Sequence, residues 1–251
     1  MPRRLTDKSE IRRLLNTDRE WSLYALADLE DGMFEHCDWW GDENCLALVF
    51  RALAIRPIFV LGESAATREL LAALSESTGN LNLKREQLEA ACGIYQYCQR
   101  RHMQRMFLEK PNLRPGNTEP LTARNSAEIE RLYATGDGGG TGFAPFQLDT
   151  GLFRGVRRDG ELVAVAGVHV VSFQESVAGV GNIFVRPDCR GLGLAQTVTS
   201  AVVAGLQQAG IQTIGLNVEV INAPAIHAYE RIGFRTHFEY YEGPADRCVN
   251  P

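Results

Sequence analysis

The sequence predicts an α/β protein with a mixed, mostly antiparallel sheet flanked by helices. Three observations carry that expectation. Residues 152–157 and 162–171 are two apolar runs around Asp159-Gly160, the dipeptide of a tight hairpin. The apolar run 183–185 meets Arg186-Pro187, where proline denies the ladder a donor, and leads into a glycine-spaced segment and an amphipathic helix. Finally, Ile214, Leu216, Val218 and Val220 alternate as a strand before a helix that opens at Asn222, carries Pro224 in its first turn and closes at Gly233.

At 251 residues and 45% hydrophobic content, the chain is long enough for one large domain or two small ones with sizeable cores. A net charge of −5 gives no basic footprint, so nucleic acid is not an expected partner, while a positively charged acceptor is compatible. The six cysteines (Cys37, Cys45, Cys92, Cys98, Cys189 and Cys248) fall without metal-ligand spacing in a chain too long to need disulfide staples. Reduced thiols, no metal and a cytoplasmic setting are therefore expected. The N-terminus lacks the apolar core of a secretion signal, and the longest apolar stretch, 162–171, falls far short of a membrane span.

In chain order, residues 7–29 place Ile11, Leu14, Leu15, Trp21, Leu23, Leu26 and Leu29 at spacings that suit one or two amphipathic helices, with a break at Asn16-Thr17-Asp18. Trp39 to Asn44 is expected as a turn, followed by short strands at 45–50 and 58–61. The second strand leads through Gly62-Glu63-Ser64 into a helix over 65–74, a strand-loop-helix unit whose loop has one glycine and no arginine. Residues 84–98 are expected to be helical, and the segment to Lys110 a strand or helix. Two prolines and a glycine in 111–117 mark a linker between domains 1–110 and 118–251. Beyond it come a strand at 121–123, a helix from an Asn125 or Ser126 cap to Tyr133, a four-glycine loop over 137–142 and a short helix at 143–148. After the hairpin, a further antiparallel strand at 177–185 precedes the glycine segment. The helix that follows sets Leu194, Val198, Val202 and Leu206 on one face and ends at Gly210. The final strand covers 234–241, and the tail from Gly243 is expected to fray.

A helix start carries unpaired N–H groups and the positive end of the helix dipole, and Gly191 and Gly193 leave no side chain in an anion's way. A phosphate or pyrophosphate is therefore expected there. A Rossmann site would need a glycine at position 196, which is Gln196, and an acidic residue about twenty positions on at a strand end.

The run Arg190-Gly191-Leu192-Gly193-Leu194-Ala195 is preceded by Val185-Arg186-Pro187. It is followed by Asn222-Ala223-Pro224-Ala225-Ile226 and by Tyr229-Glu230-Arg231-Ile232-Gly233-Phe234. Together these segments resemble the acyl-CoA pyrophosphate loop of the GNAT acyltransferase superfamily and its surroundings, over residues 118–242. Residues 160–169 and 181–183 resemble the branch with glycine N-acyltransferase-like proteins, and the stretch around 24–29 resembles the degenerate GNAT-like half that precedes the active one there.

The resemblance implies a GNAT fold and acetyl-CoA as cosubstrate. It implies acyl transfer to a small-molecule or peptide amine by direct attack in a ternary complex, with a monomer or homodimer as the working form. Backbone N–H groups of Leu192, Gly193, Leu194 and Ala195 would carry the pyrophosphate, with Arg190 and Gly191 shaping the loop. Ile183, Phe184 and Val185 would pair with the pantetheine arm, and an N–H there would face the thioester oxygen. Asn222 would touch CoA, a role compatible with capping its helix. Tyr229 would protonate the departing thiolate; its plainer role is packing.

The general base is open among Glu219, which is favoured, Glu175 and His169, a histidine between valines that also suits a hydrogen-bonded core position. The rival reading is a noncatalytic acyl-CoA-binding module. Cys98 and His102, with His36, Cys37 and Cys45, fit no standard metal spacing, and Gln99 to His102 with Arg105 suits a solvated face. Trp39-Trp40 suits interdomain packing. Gly138 to Gly140 suits a flexible loop or a lid over the acceptor.

Overall fold

The computed structural model describes residues 2–136 and 142–248; Gly138 to Gly140 lie outside them. Two compact units emerge, one of residues up to Gln104 joined by those from Phe238 on, the other Arg105–His237. Residues 111–117, expected as a linker, thus fall inside the second unit, and the C-terminal residues return to the first. Among the described residues, no helix is long and apolar enough to cross a membrane.

The first unit opens with β1 (Arg3–Leu5), α1 (Lys8–Leu15), α2 (Leu23–Ala27) and α3 (Asp31–Phe34). Then follow β2 (Cys37–Gly41), β3 (Leu46–Phe50), β4 (Pro57–Leu61), α4 (Ser64–Ala73), β5 (Thr78–Lys84), α5 (Leu88–Ala91), β6 (Tyr95–Tyr97) and the start of β7 (Arg101–Leu108). Asp7 caps α1 by accepting the Ser9 N–H at 2.8 Å, and Ile11, Leu14 and Leu15 form the buried stripe of that helix. Strands β1 to β4 pair antiparallel in sequence order. Strand β5 lies parallel to β4, the register that a helical crossover such as α4 allows.

The second unit continues with β8 (Glu119–Leu121), α6 (Ser126–Tyr133), β9 (Phe153–Arg158), β10 (Glu161–Ser172), β11 (Val177–Val185), α7 (Leu194–Gln208), β12 (Thr213–Glu219), α8 (Ala223–Ile232) and β13 (Phe234–Arg247). Its strand order is β8-β9-β10-β11-β12, then the later part of β7 and the beginning of β13. Strands β8 to β11 pair antiparallel, and β12 is parallel to β11 across α7. The two units therefore share one topology: a strand, helices, three antiparallel strands, a crossover helix and a parallel strand. In the core of the second unit, Val163, Val165, Val198, Val203, Leu206 and Phe234 are essentially excluded from water. Such burial contributes about 1.5–3 kcal/mol for each large aliphatic or phenylalanine side chain.

Several local expectations need correction. Trp39-Trp40 belongs to β2 rather than a turn, with Trp39 buried and stacked on Phe34 at 6.1 Å within its own unit. Residues 84–98 are not one helix. They hold the end of β5, a 3-10 turn, the four-residue α5 and β6. Residues 99–105 lead into and form part of a strand, where Arg101 pairs with Glu242 and His102 with Glu239. Cys98 bonds Asp246, Cys37 bonds the Met33 carbonyl and Cys45 bonds Asp42. The short helix expected at 143–148 is a 3-10 helix, Pro145–Thr150. The tail does not fray at Gly243: β13 runs to Arg247, and the Cys248 N–H reaches the Ile94 carbonyl at 2.8 Å.

Candidate active site

Strands β10 and β11 meet with two compensating irregularities. Between the pairs Val165–Phe184 and Gly167–Gly181, β11 sets Asn182 and Ile183 against Ala166 alone. Between Val168–Val180 and Val170–Gly179, the extra residue is His169 on β10. Asn182 has φ 54°, a left-handed value that a non-glycine residue keeps only when its surroundings hold it.

Those surroundings are polar and mostly buried, with part of the His169 side of the cluster left accessible. The His169 Nε2 accepts the Asn182 N–H at 3.1 Å, and the Tyr133 hydroxyl donates to the Asn182 carbonyl at 3.0 Å. The Asn182 amide group donates to Gln147 Oε1 at 2.9 Å and to the Val168 carbonyl at 3.3 Å. Burial lowers the His169 pKa to about 4, against which its bond to Asn182 works, so the ring is neutral near pH 7 and Nε2 is free to accept. Burial also pushes the Tyr133 hydroxyl above its ordinary value. Sequence reasoning missed Tyr133, Gln147 and Asn182. Their partners lie 13 to 49 residues away, so no local pattern marks them.

The parallel ladder between β11 and β12 runs from Val177–Thr213 to Val180–Leu216, while each strand continues, to Val185 and Glu219. Past Val180 the two strands part. The expected pantetheine edge, Ile183, Phe184 and Val185, lies along this parted stretch, with Phe184 packed edge-on against Tyr133 at 5.6 Å. Glu219 ends β12 half-buried, and its carbonyl accepts the Asn222 N–H at 2.9 Å. On the same face, Asn217 accepts a bond from the buried Arg105 at 2.8 Å.

After β11, Pro187–Cys189 form a single 3-10 turn, and Arg186 clasps Asp188 with 2.7 and 3.0 Å bonds. That guanidinium holds the Asp188 carboxyl below its usual range. Arg190 Nε bonds the Val185 carbonyl at 3.3 Å, tying the loop back to the strand it leaves. Gly191 and Gly193 both adopt φ 76°, and a Cβ on either would meet nothing within 4 Å, so the turn is open. Gly193 is the N-cap of α7 and has no side chain to satisfy the first amides of the helix, from Leu194 and Ala195 on. Leu192 is exposed and Leu194 buried.

Asn222 caps α8 through its side chain, accepting the Ala225 N–H at 3.3 Å. About two turns beyond the cap, the Tyr229 ring is buried and lies 6.4 Å edge-on from Phe234. Burial raises its hydroxyl above the ordinary tyrosine value. Glu175, the remaining carboxylate candidate, is buried in the turn between β10 and β11, with its N–H on the Ser172 hydroxyl. No cluster of three or more histidine, cysteine or acidic side chains able to hold a metal ion occurs among the described residues.

A bulged strand that parts from its parallel neighbour thus leads through an open glycine turn into a bare helix start. Residues 122–234 match the acetyltransferase (GNAT) family. It is 39% identical over 82 residues to a mycothiol acetyltransferase from Streptomyces avermitilis, a match over 32% of this chain and 26% of that protein. It is 31% identical over 99 residues to a streptothricin acetyltransferase from Streptomyces lavendulae, over 39% of this chain and 52% of that one. The chain thus spans about a quarter to a half of the length of these curated relatives. In fold it is similar to a GNAT-family chain from Novosphingobium aromaticivorans, with TM-score 0.64, 19% identity and coverage of 92% of this chain and 99% of that chain. A GNAT-family acetyltransferase from Colwellia psychrerythraea gives TM-score 0.59 at 13% identity over 99% of this chain and all of that one.

Proposed function

We propose that the protein is an acyl-CoA-dependent N-acyltransferase that moves an acetyl group from acetyl-CoA to a small-molecule or peptide amine by direct attack in a ternary complex. The observation that carries this reading is the open Gly191/Gly193 turn at the uncapped start of α7, placed directly after the parted edge of β11. The turn offers N–H groups and a positive dipole end to the pyrophosphate, while the parted edge offers unpaired main-chain groups to the pantetheine amides. Tyr229 serves as proton donor to the departing thiolate. Glu219, half-buried at the end of β12, takes the proton of the amine through solvent. The neutral, already engaged His169 is unsuited to that task, since its Nε2 lone pair is committed to the Asn182 N–H.

The N-terminal unit, which shares the topology without the paired glycines, is a GNAT-like half with no CoA site of its own. The arrangement follows the tandem branch with glycine N-acyltransferase-like C-terminal domains, in a cytoplasmic setting. A panel of amines incubated with acetyl-CoA and monitored for free thiol tests the reading. Turnover with any amine sustains it. Acetyl-CoA binding without thiol release across the panel would leave a noncatalytic acyl-CoA-binding module instead.

A further inference from the structure

The site needs a strand edge whose amides face the thioester, and nothing in the regular pairing of β10 with β11 supplies one. The departure from regularity is concentrated at Asn182. Four hydrogen bonds from three directions converge on that residue: His169 Nε2 on its N–H, Tyr133 on its carbonyl, and Gln147 and the Val168 carbonyl on its side-chain amide.

Gln147 is itself braced, its Oε1 accepting the Ala144 N–H at 3.0 Å and its Nε2 donating to the His169 carbonyl at 3.1 Å. His169 is the extra residue of β10, so the acceptor for the Asn182 N–H is an imidazole rather than a ladder carbonyl. Space has been kept for that ring. A Cβ on Gly181 would lie 2.4 Å from it and one on Gly142 3.2 Å. Unit 1 provides an internal contrast: its corresponding pair, β3 with β4, runs from Leu46–Leu61 to Val49–Ile58 without a register shift.

We propose that His169 is a positioning residue for acyl transfer: by accepting the Asn182 N–H it locks the β11 bulge and so aims the amides of Ile183 and Val185, the ones on this stretch that alternate away from the β10 ladder, at the thioester arm. This rests on the acyl-CoA reading above. His169 acts through Asn182. The neutral ring keeps the lone pair that the lock needs.

The test uses the full chain with His169→Leu, which removes the acceptor, and His169→Gln, whose carbonyl oxygen reaches the place of Nε2. Two quantities are measured: hydrogen exchange of the Asn182 amide, and the affinities of acetyl-CoA and of 3′,5′-ADP, which carries the nucleotide end without the pantetheine arm. The leucine chain is expected to lose Asn182 protection and about tenfold in acetyl-CoA affinity, the scale of one part-buried hydrogen bond, with 3′,5′-ADP unchanged. The glutamine chain is expected to regain both.

Unchanged acetyl-CoA affinity in the leucine chain overturns the proposal. So does a parallel loss of acetyl-CoA and 3′,5′-ADP, which marks a general structural role, or a glutamine chain that regains nothing. Should the leucine chain not fold, His169→Asn, whose amide stops short of the Asn182 N–H, takes its place. If all three variants unfold, His169 is a core residue only, and the proposal falls. A wild-type chain without acetyl-CoA affinity defeats the acyl-CoA reading itself, and is recognised because it fails before any substitution is made.

Discussion

Val180 lies opposite Leu216 in the last parallel pair joining β11 to β12, and five further residues of β11 run on past it. Strands that part this early leave main-chain groups without ladder partners, a cost that a native structure offsets with water or a ligand. On the proposed reading, an extended amide-bearing arm takes that gap and its anionic end lies at the glycine turn. Gly193→Glu puts bulk and negative charge there and is expected to lower CoA affinity at least about tenfold. Gly193→Ala separates the causes: its Cβ meets nothing within 4 Å, so it carries only the backbone cost of φ 76°. Titration calorimetry of both variants decides, and an unchanged affinity in the glutamate chain moves the site elsewhere.

One CoA per chain is the second expectation. In the first unit the turn from β4 to α4 holds only Gly62, the residue after it is Glu63, and β3 pairs with β4 in unbroken register. An acidic side chain at the helix start opposes a pyrophosphate, and a regular ladder offers no bulged edge. A calorimetric stoichiometry of two per chain would end this view.

The sequence disclosed the parts of this site that local chemistry dictates. Asp159 and Gly160, with φ 51° and 81°, form the hairpin turn that their dipeptide announces, and Asn222, Pro224 and Gly233 begin and end α8 as cap chemistry requires. The bulge was not legible, because Asn182 owes its backbone conformation to Tyr133, Gln147 and His169 rather than to its neighbours in sequence. Two other differences have local causes. Leu81 and Leu83 alternate with Asn80 and Asn82 as a strand should, and a helical expectation beginning at Lys84 obscured β5. Trp39, flanked by buried Cys37 and Gly41, shows the same period of two in β2, masked by the polar turn that follows.

Asp28 gives a test of pH dependence in the first unit. Burial alone raises its pKa to about 7, so between its ordinary value and neutrality the folded chain holds a proton that the unfolded chain has released. Stability from this group is therefore present at low pH and is lost as pH rises toward 7. Asp28→Asn, nearly isosteric and uncharged, is expected to stabilise the protein at pH 8 by on the order of 2 kcal/mol, or roughly 4–8 °C in unfolding midpoint, and to give no such gain near pH 4. Thermal unfolding of both chains at the two pH values measures the difference. An equal shift at both would remove ionisation as the cause.

Tyr229 is the proposed acid, and its burial bears on how much it can contribute. An amine attacking a thioester expels a thiolate whose conjugate acid has a pKa near ~8.5 on the scale of ordinary thiols, so protonation assists departure without being indispensable. The raised pKa of the buried hydroxyl keeps its proton in place through neutral and mildly alkaline pH, but also makes the transfer to sulfur uphill. General acid catalysis typically contributes about 10²- to 10⁴-fold, and both considerations favour its low end. Tyr229→Phe keeps the ring against Phe234 and removes only the hydroxyl. We expect kcat to fall about ten- to several-hundred-fold with CoA affinity little changed. The wild-type pH–rate profile should show no descending limb from this group below about pH 10, since a raised phenol remains protonated there. Full turnover in the phenylalanine chain would make Tyr229 a packing residue, and an alkaline limb near pH 8 that disappears with the hydroxyl would mean that burial does not hold its proton as the structure requires.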